Sequence, residues 1–383
     1  MAGKRKQRSQ KKKKAVAPTD RKLLRKLTCV DLFAGAGGFS LAAQNVGLTV
    51  VAAVEFNPKA CETYTHNLVK DGVPHLYAGD IKELDPVAVQ KVHFADHGCD
   101  LLLGGPPCQG FSVHRIKGAG VDDPRNDLIL HYFQFVATLR PRVFLMENVP
   151  GILWERHKPF LDEFYSRGRL AGYDLHDPIV IDAKDYGVPQ RRKRVFVLGV
   201  RMDVAAQFTW PPAPTHSGDA EVTQNRHLKP WRTANDVFSK AIKRSDPNNI
   251  HMQHTAEIIE VFRNTPLNGG SRAQSGRILD CHTEHNGHKD VYGRIDMRLP
   301  GPTMTTACIN PSKGRFVHPI EHHGISVRHA ARFQTFPDSF EFLGGLTAAG
   351  MQIGNAVPVK LGEVLIREIQ SALRAYDAEE GQQ

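Results

Sequence analysis

Residues 27–46 read LTCVDLFAGAGGFSLAAQNV. An apolar run at 27–33 leads into three glycines at 35, 37 and 38, and GFSLAAQNV then has the composition of a helix. Strand, glycine turn and helix in that order open an α/β fold. Glycines at such a turn let the backbone bend sharply and approach a ligand at the helix N-terminus. Counted from Gly35, the sixth position is Ser40 rather than glycine, so the G-x-G-x-x-G fingerprint of a dinucleotide site is incomplete. On its own the stretch reads equally well as a plain tight turn.

The pattern continues outward from it. Residues 48–55 form a second apolar strand, and Pro58 opens a helix running to about residue 70, proline being at home in a first helical turn. Strands follow at 100–103, 143–147 and 194–200, with a helix at 126–139. Apolar strands alternating with helices imply a mostly parallel sheet covered on both faces. After residue 201 the chain becomes rich in Pro, Gly, His and Asn with weak periodicity, and residues 357–376 read as a final amphipathic helix. The expected organisation is a basic tail at 1–27, a cofactor-binding domain at 28–202, an irregular second domain at 203–350, a returning segment at 351–376, and a tail at 377–383.

Charge is unevenly placed. The 383 residues carry a net charge of +10, but residues 1–26 alone hold twelve Lys or Arg against one acid, Asp20, which leaves the rest close to neutral. The tail has almost no apolar residues before Val16, too few to order itself, and its expected partner is a polyanion. A solubilising extension is the plain alternative. The six cysteines are scattered with no CxxC pair, as in a reduced intracellular protein, so a cytoplasmic location is expected. No apolar run approaches the ~20 residues needed to span a bilayer, and no membrane partner is expected.

Polar groups sit at the predicted strand ends. Glu55 ends the second strand and could accept hydrogen bonds from two ribose hydroxyls, while Phe33 and Phe56 could sandwich an adenine whose amino group reaches Asp80. Single acids at such places are commonly helix caps, but ligands of open α/β sheets bind at strand carboxyl ends. In LLLGGPPCQGFS (101–112), Cys108 follows a buried strand, where a thiolate would be a strong nucleophile toward an electron-poor carbon. MENVPG (146–151) puts Glu147 at the end of the next strand, and QRRKR (190–194) supplies cations. Each has a bland reading as a surface or core residue.

Taken together, DLFAGAGGFS, VEFNP, Gly79–Asp80, GGPPCQGFS, MENVP, QRRKR, ISVRHAARFQTFPDSF and QIGNAVP resemble the cytosine-5 DNA methyltransferase family, bacterial or phage type, and occur in that family's order. The resemblance implies a Rossmann-like methyltransferase domain with a smaller target-recognition domain, methylating carbon 5 of cytosine in a specific double-stranded DNA sequence. It implies S-adenosylmethionine as cofactor, held by Phe33, Ala34, Gly35, Gly37, Gly38, Phe39, Glu55, Phe56, Asp80, Ile81 and Pro106, with Asn355 and Val357 closing the site. It makes Cys108 the nucleophile on cytosine C6 and has Glu147 engage N3 and the amine. Asn148 would organise the turn, Arg192 touch the base near O2, and Arg194 support the catalytic loop. A duplex base is out of reach, so it must be flipped out. Ser112, His114 and Arg125 are candidates to close over the DNA, and Arg272 and Arg294 to read guanine edges.

The expected setting is a monomer in a restriction-modification system, acting on the same site as a cognate endonuclease without touching it, or a solitary methylase. Two rivals remain. One is a tRNA methyltransferase of the same fold, which the missing Cys-Phe-Thr tripeptide disfavours. The other is a non-catalytic DNA-binding scaffold, which the intact Cys108 and Glu147 motifs disfavour. CHTEHNGH (281–288) groups Cys281, His282, His285 and His288, but no second ligand pair follows, so no metal is expected.

Overall fold

The computed structural model describes residues 25–95, 98–106, 127–276 and 290–380. Its first half alternates strand and helix: β1 (Thr28–Leu32), α1 (Gly38–Val46), β2 (Thr49–Glu55), α2 (Pro58–Leu68), β3 (His75–Ala78), α3 (Pro86–His93), β4 (Leu101–Gly104), α4 (Asp127–Leu139) and β5 (Val143–Asn148), α3 being an element the sequence pattern did not offer. Pro58 and Pro86 each open a helix, and the side chains of Asn57 and Asp85 cap them by accepting backbone N–H groups. There follow α5 (Lys158–Leu170), β6 (Tyr173–Leu175), β7 (Ile179–Asp182) and β8 (Lys193–Arg201).

Strand order is β3-β2-β1-β4-β5-β8-β6, with β7 also on β8. The first five strands are parallel, whereas β8 runs antiparallel to β5, β6 and β7. The sheet is mostly parallel, as expected, with an antiparallel edge. The order reverses between β1 and β4, the place where open α/β sheets bind ligands beyond their strand carboxyl ends. Because β8 is antiparallel, its first residues lie at that same edge, beside the end of β5.

Both faces of the sheet are buried, and neighbours alternate between two cores as a strand's two-residue period requires. Leu101, Leu103, Val143, Leu145, Phe196 and Leu198 join the core under α1 and the C-terminal helix. Leu102, Phe144, Met146, Val195 and Val197 join the core under α3, α4 and α5.

From residue 203 regular structure is sparse: α6 (Asp219–Gln224), α7 (Asn235–Phe238), α8 (Ala256–Asn264), then α9 (Val327–Phe333), α10 (Gly345–Asn355) and α11 (Val359–Glu380). Irregular backbone leaves carbonyls that need donors, and buried arginines supply them. Arg328 donates to the Phe340 carbonyl (2.8 Å) and to Asp246, and Arg332 donates to the carbonyls of Val237 and Lys240 and to Asp338. The first core continues without a break through Ile295, Met304, Phe316, Ile325 and Phe333 to Leu361, Leu365 and Ile369 of α11.

Candidate active site

The glycine turn sits at the carboxyl end of β1. Phe33 takes a positive φ of 57°, an unusual conformation for a bulky residue of the kind that clusters at ligand sites. The next residues fold back toward β2: Ala34 N–H donates to the Val54 carbonyl (3.0 Å) and Gly35 N–H to Glu55 Oε2 (2.8 Å). The other Glu55 oxygen accepts from Asn57 N–H at 2.6 Å. Burial pushes the Glu55 carboxyl up from its ordinary pKa, and these N–H bonds oppose the shift. Each oxygen keeps lone-pair capacity for a further donor.

Behind the turn lies Asp31, 1% exposed, accepting from Ser40 Oγ at 2.6 Å, while Tyr64 O–H donates to that same hydroxyl. Burial pushes Asp31 up to about 7. Sequence reasoning had passed over this acid; its signal was a lone carboxylate inside an apolar strand.

Phe39 and Ile81 are buried. Phe39 belongs to the packed core rather than to an open surface. Phe56 is 71% exposed at the end of β2, a large apolar ring left facing solvent. At the carboxyl ends of β2 and β3 a cavity of about 200 Å³ is lined by Val54, Tyr77, Gly79, Asp80 and Leu84. An acceptor-rich carboxylate, an exposed ring and an adjacent cavity with a second acid fit the ribose and adenine of a nucleoside cofactor. From the far end of the chain, Val357 closes on the turn: a Cβ on Gly38 would stand 2.4 Å from the Val357 carbonyl oxygen, so only glycine permits this approach. Asn355, at the end of α10, is exposed.

The second half of the site is at the ends of β4 and β5. Glu147 is 8% exposed, and Arg194 Nε of β8 lies 2.8 Å from its Oε1. Its other oxygen lies over the turn at 105–106, where a Cβ on Gly105 would come within 3.2 Å. Asn148 N–H donates from its side chain to the Pro106 carbonyl (3.4 Å) and its side-chain oxygen accepts from Val149 N–H (2.8 Å), which ties that turn to β5. Cys108 itself lies outside the described residues, two positions beyond the turn, as do Ser112, His114 and Arg125. The four described cysteines, Cys29, Cys61, Cys99 and Cys308, are all buried, and burial raises each thiol, that of Cys61 to about 11 and that of Cys308 to about 12. None is poised as a nucleophile.

Two expectations need correcting. Arg192 was expected against the base, but it is 1% exposed and donates to the carbonyls of Met304 (2.8 Å), Gly354 (2.8 Å) and Ala356 (3.0 Å). Its two terminal nitrogens hold the turn that carries Asn355 and Val357, its Nε is buried without a partner, and Arg194 is the arginine beside Glu147. Arg294, expected on DNA, is fully buried and cross-links the carbonyls of Phe262, Thr265, His318 and Glu321. Arg272 is half-buried in a short 3₁₀ segment. Gln190, which the sequence did not single out, is wholly buried; its amide donates to the Phe333 carbonyl and its oxygen accepts from Met304 N–H.

Among the described residues no group of three or more His, Cys, Asp or Glu could hold a metal ion, and Cys281, His282, His285 and His288 lie outside them. No described helix is long and apolar enough to cross a membrane.

A family model described as C-5 cytosine-specific DNA methylase matches residues 27–371. The chain is 30% identical to the Type II methyltransferase M.XorII of Xanthomonas oryzae pv. oryzae over 376 residues, covering 90% of this chain and 85% of that protein. It is 32% identical to the Type II methyltransferase M.NgoFVII of Neisseria gonorrhoeae over 334 residues, covering 86% and 82%. Among solved structures, it resembles an Escherichia coli prophage protein described as a DNA modification methyltransferase, with a TM-score of 0.69, 25% identity, and coverage of 91% of this chain and all of that one.

Proposed function

The chain belongs to the C-5 cytosine-specific DNA methylase family, an S-adenosylmethionine-dependent enzyme family acting on DNA, and from that premise we propose that it methylates cytosine within one specific double-stranded sequence, through a covalent bond between Cys108 and C6 of a base flipped from the helix.

The observation that carries this reading is the pairing of Glu147 with Arg194 at 2.8 Å, over the turn that leads to Cys108 and at the same sheet edge as Glu55. Glu55 would hold the cofactor ribose, Asp80 the adenine amine, and Phe33 and Phe56 its faces, with Ile81 and Pro106 completing the wall. S-adenosylmethionine, when bound, supplies an electrophilic methyl group on its sulfonium. Cys108 adds as thiolate to C6, and the electron pair this places on the ring makes C5 nucleophilic. Glu147, carrying a proton, donates it toward N3 as negative charge develops there and accepts from the exocyclic amine with its other oxygen, while Arg194 holds the Glu147 carboxyl in place and reaches toward O2. After methyl transfer, solvent water takes the C5 proton, and the electron pair left on the ring expels Cys108 as thiolate and restores aromaticity. Asn148 keeps the turn in register with Glu147.

Target choice is assigned to residues within 203–350. The relatives are Type II methyltransferases, so the proposed setting is a restriction-modification system in which a cognate endonuclease cuts the unmethylated site. The test is bisulfite sequencing of DNA from cells expressing the protein. Cytosines protected at one recurring position of one sequence motif are expected. Conversion of all cytosines in DNA exposed to an enzyme active in cofactor binding would overturn the reading.

A further inference from the structure

Residues 190–194 run extended into β8, and their side chains alternate. Gln190 and Arg192 are buried and Arg194 is nearly so, all three spent on internal partners, while Arg191 and Lys193 point outward and are exposed. The outward pair has no carboxylate of the described residues within ion-pair distance. The acid opposite Lys193 in the β7–β8 register, Asp182, accepts the Arg192 backbone N–H at 3.0 Å and caps the segment after β7.

The backbone beneath them is held fast. Arg191 N–H donates to the Gly301 carbonyl (2.9 Å), the Thr303 hydroxyl donates to the Arg191 carbonyl (2.6 Å), and Gly301 N–H donates to the Pro189 carbonyl (2.9 Å). Arg191 also borders a concavity of about 150 Å³ shared with Gly269, Leu299 and Arg315, where the sheet meets the irregular region. Arg315 is already spent there on Asp290 and on the carbonyls of Gly269 and Arg294. Two unpaired cations, Lys193 next to Arg194 in the chain and Arg191 three residues before it, stand on hydrogen-bonded extended backbone roughly 6.6 Å apart along the chain, a spacing that suits consecutive phosphates of one DNA strand.

We propose that Arg191 and Lys193 bind two adjacent backbone phosphates of the substrate strand and so set its register over Glu147 and Arg194. The proposal rests on the DNA-methylating reading above. Phosphate contacts orient the duplex without reading its sequence, so the pair controls affinity and not target choice.

The experiment is equilibrium binding of the full chain to a DNA duplex across a salt series, for wild type, the double variant R191Q/K193Q, R191K, and K91Q, whose exposed lysine lies on α3, the helix that follows β3, the strand at the other end of the sheet from β8. Each lost phosphate contact lowers the slope of log K against log salt by ~0.9, so the double variant should be flatter by about 1.8. R191K and K91Q should keep the wild-type slope, and affinity for S-adenosylmethionine, read by calorimetry, should not move in any variant. A double variant with the wild-type slope, or K91Q with as large a drop, overturns the contact while leaving the methylating reading intact. Wild type that binds DNA but methylates no cytosine overturns that reading instead.

Discussion

Glu55 carries two jobs with one carboxylate, bracing the glycine turn through Gly35 and presenting its remaining lone pairs at the end of β2. A charge-assisted hydrogen bond to a ribose contributes roughly 1.5–3 kcal/mol. Glu55→Ala should therefore weaken S-adenosylmethionine binding about 10- to 150-fold in calorimetry while leaving DNA affinity near wild type; unchanged cofactor affinity would remove Glu55 from the ribose. The residues of this half were legible in the sequence because glycine and strand-end acids have few other uses in that order. Arg192 and Arg194 were not separable. They are the same residue type two positions apart on one extended strand and so face the same side, and only the placement of the 304 and 354–356 carbonyls decides which one is captured on the way to Glu147. Arg294 failed for a related reason: an arginine in a charged, irregular stretch reads as surface, yet irregular backbone is where a five-donor fork is most needed inside.

At the scale of elements, the strands and helices of the first half follow from apolar runs broken by Pro and Gly, and α1, α2, β5 and β8 lie where the pattern puts them. The antiparallel direction of β8 was not readable, since an apolar strand has the same composition in either direction. That direction brings Gly199 opposite Phe144, and a Cβ on Gly199 would sit 2.1 Å from the ring. Phe144 in turn packs on Phe133, Phe164 and Tyr173. Gly199→Ala should destabilise the fold by roughly 1–3 kcal/mol through overpacking, measured by denaturant unfolding; a stability equal to wild type would mean that the aromatic cluster has room to shift. The elements between 203 and 326 escaped the sequence because they are short: α6 and α7 are too brief to show a period, and α8, though amphipathic, spans only Ala256–Asn264.

Across the whole molecule, the start of the described chain is tied to the edge opposite the site. Arg25 donates from both terminal nitrogens to Asp100 (2.6 and 2.7 Å), the residue before β4, and Arg142 joins Asp100 to Asp377 of α11. Arg25, where the described residues begin, thus lies at the far side from Glu147. Acid sensitivity is a second property of the whole fold. His318 is 8% exposed and its pKa is lowered to about 4, chiefly by burial, with Glu321 opposing and His323, Arg294 and His251 contributing to the fall. Its ring nitrogen Nδ1 accepts from the N–H groups of Ile320 and Glu321, so the neutral form is the one that fits. A histidine depressed on folding leaves the unfolded chain holding more protons below its ordinary pKa of ~6.5, so stability is lost as pH falls from ~6.5 toward 4. The loss should be on the order of 1–3 kcal/mol. His318→Asn, which keeps an acceptor and cannot titrate, should show a shallower fall of Tm over that window than wild type, and a parallel fall would assign the effect to other groups.

The central claim is that Cys108 bonds covalently to the cytosine ring. A fluorine at C5 cannot leave as a proton does, so the last step is blocked and the enzyme stays attached to its substrate. Incubating the protein with S-adenosylmethionine and a methylatable duplex carrying 5-fluorocytosine at the target position should give a denaturation-resistant protein–DNA band with wild type and none with Cys108→Ser, although that variant still binds the duplex. Wild type that turns over ordinary duplex yet forms no such band, or a Cys108→Ser variant that forms it, would contradict the account.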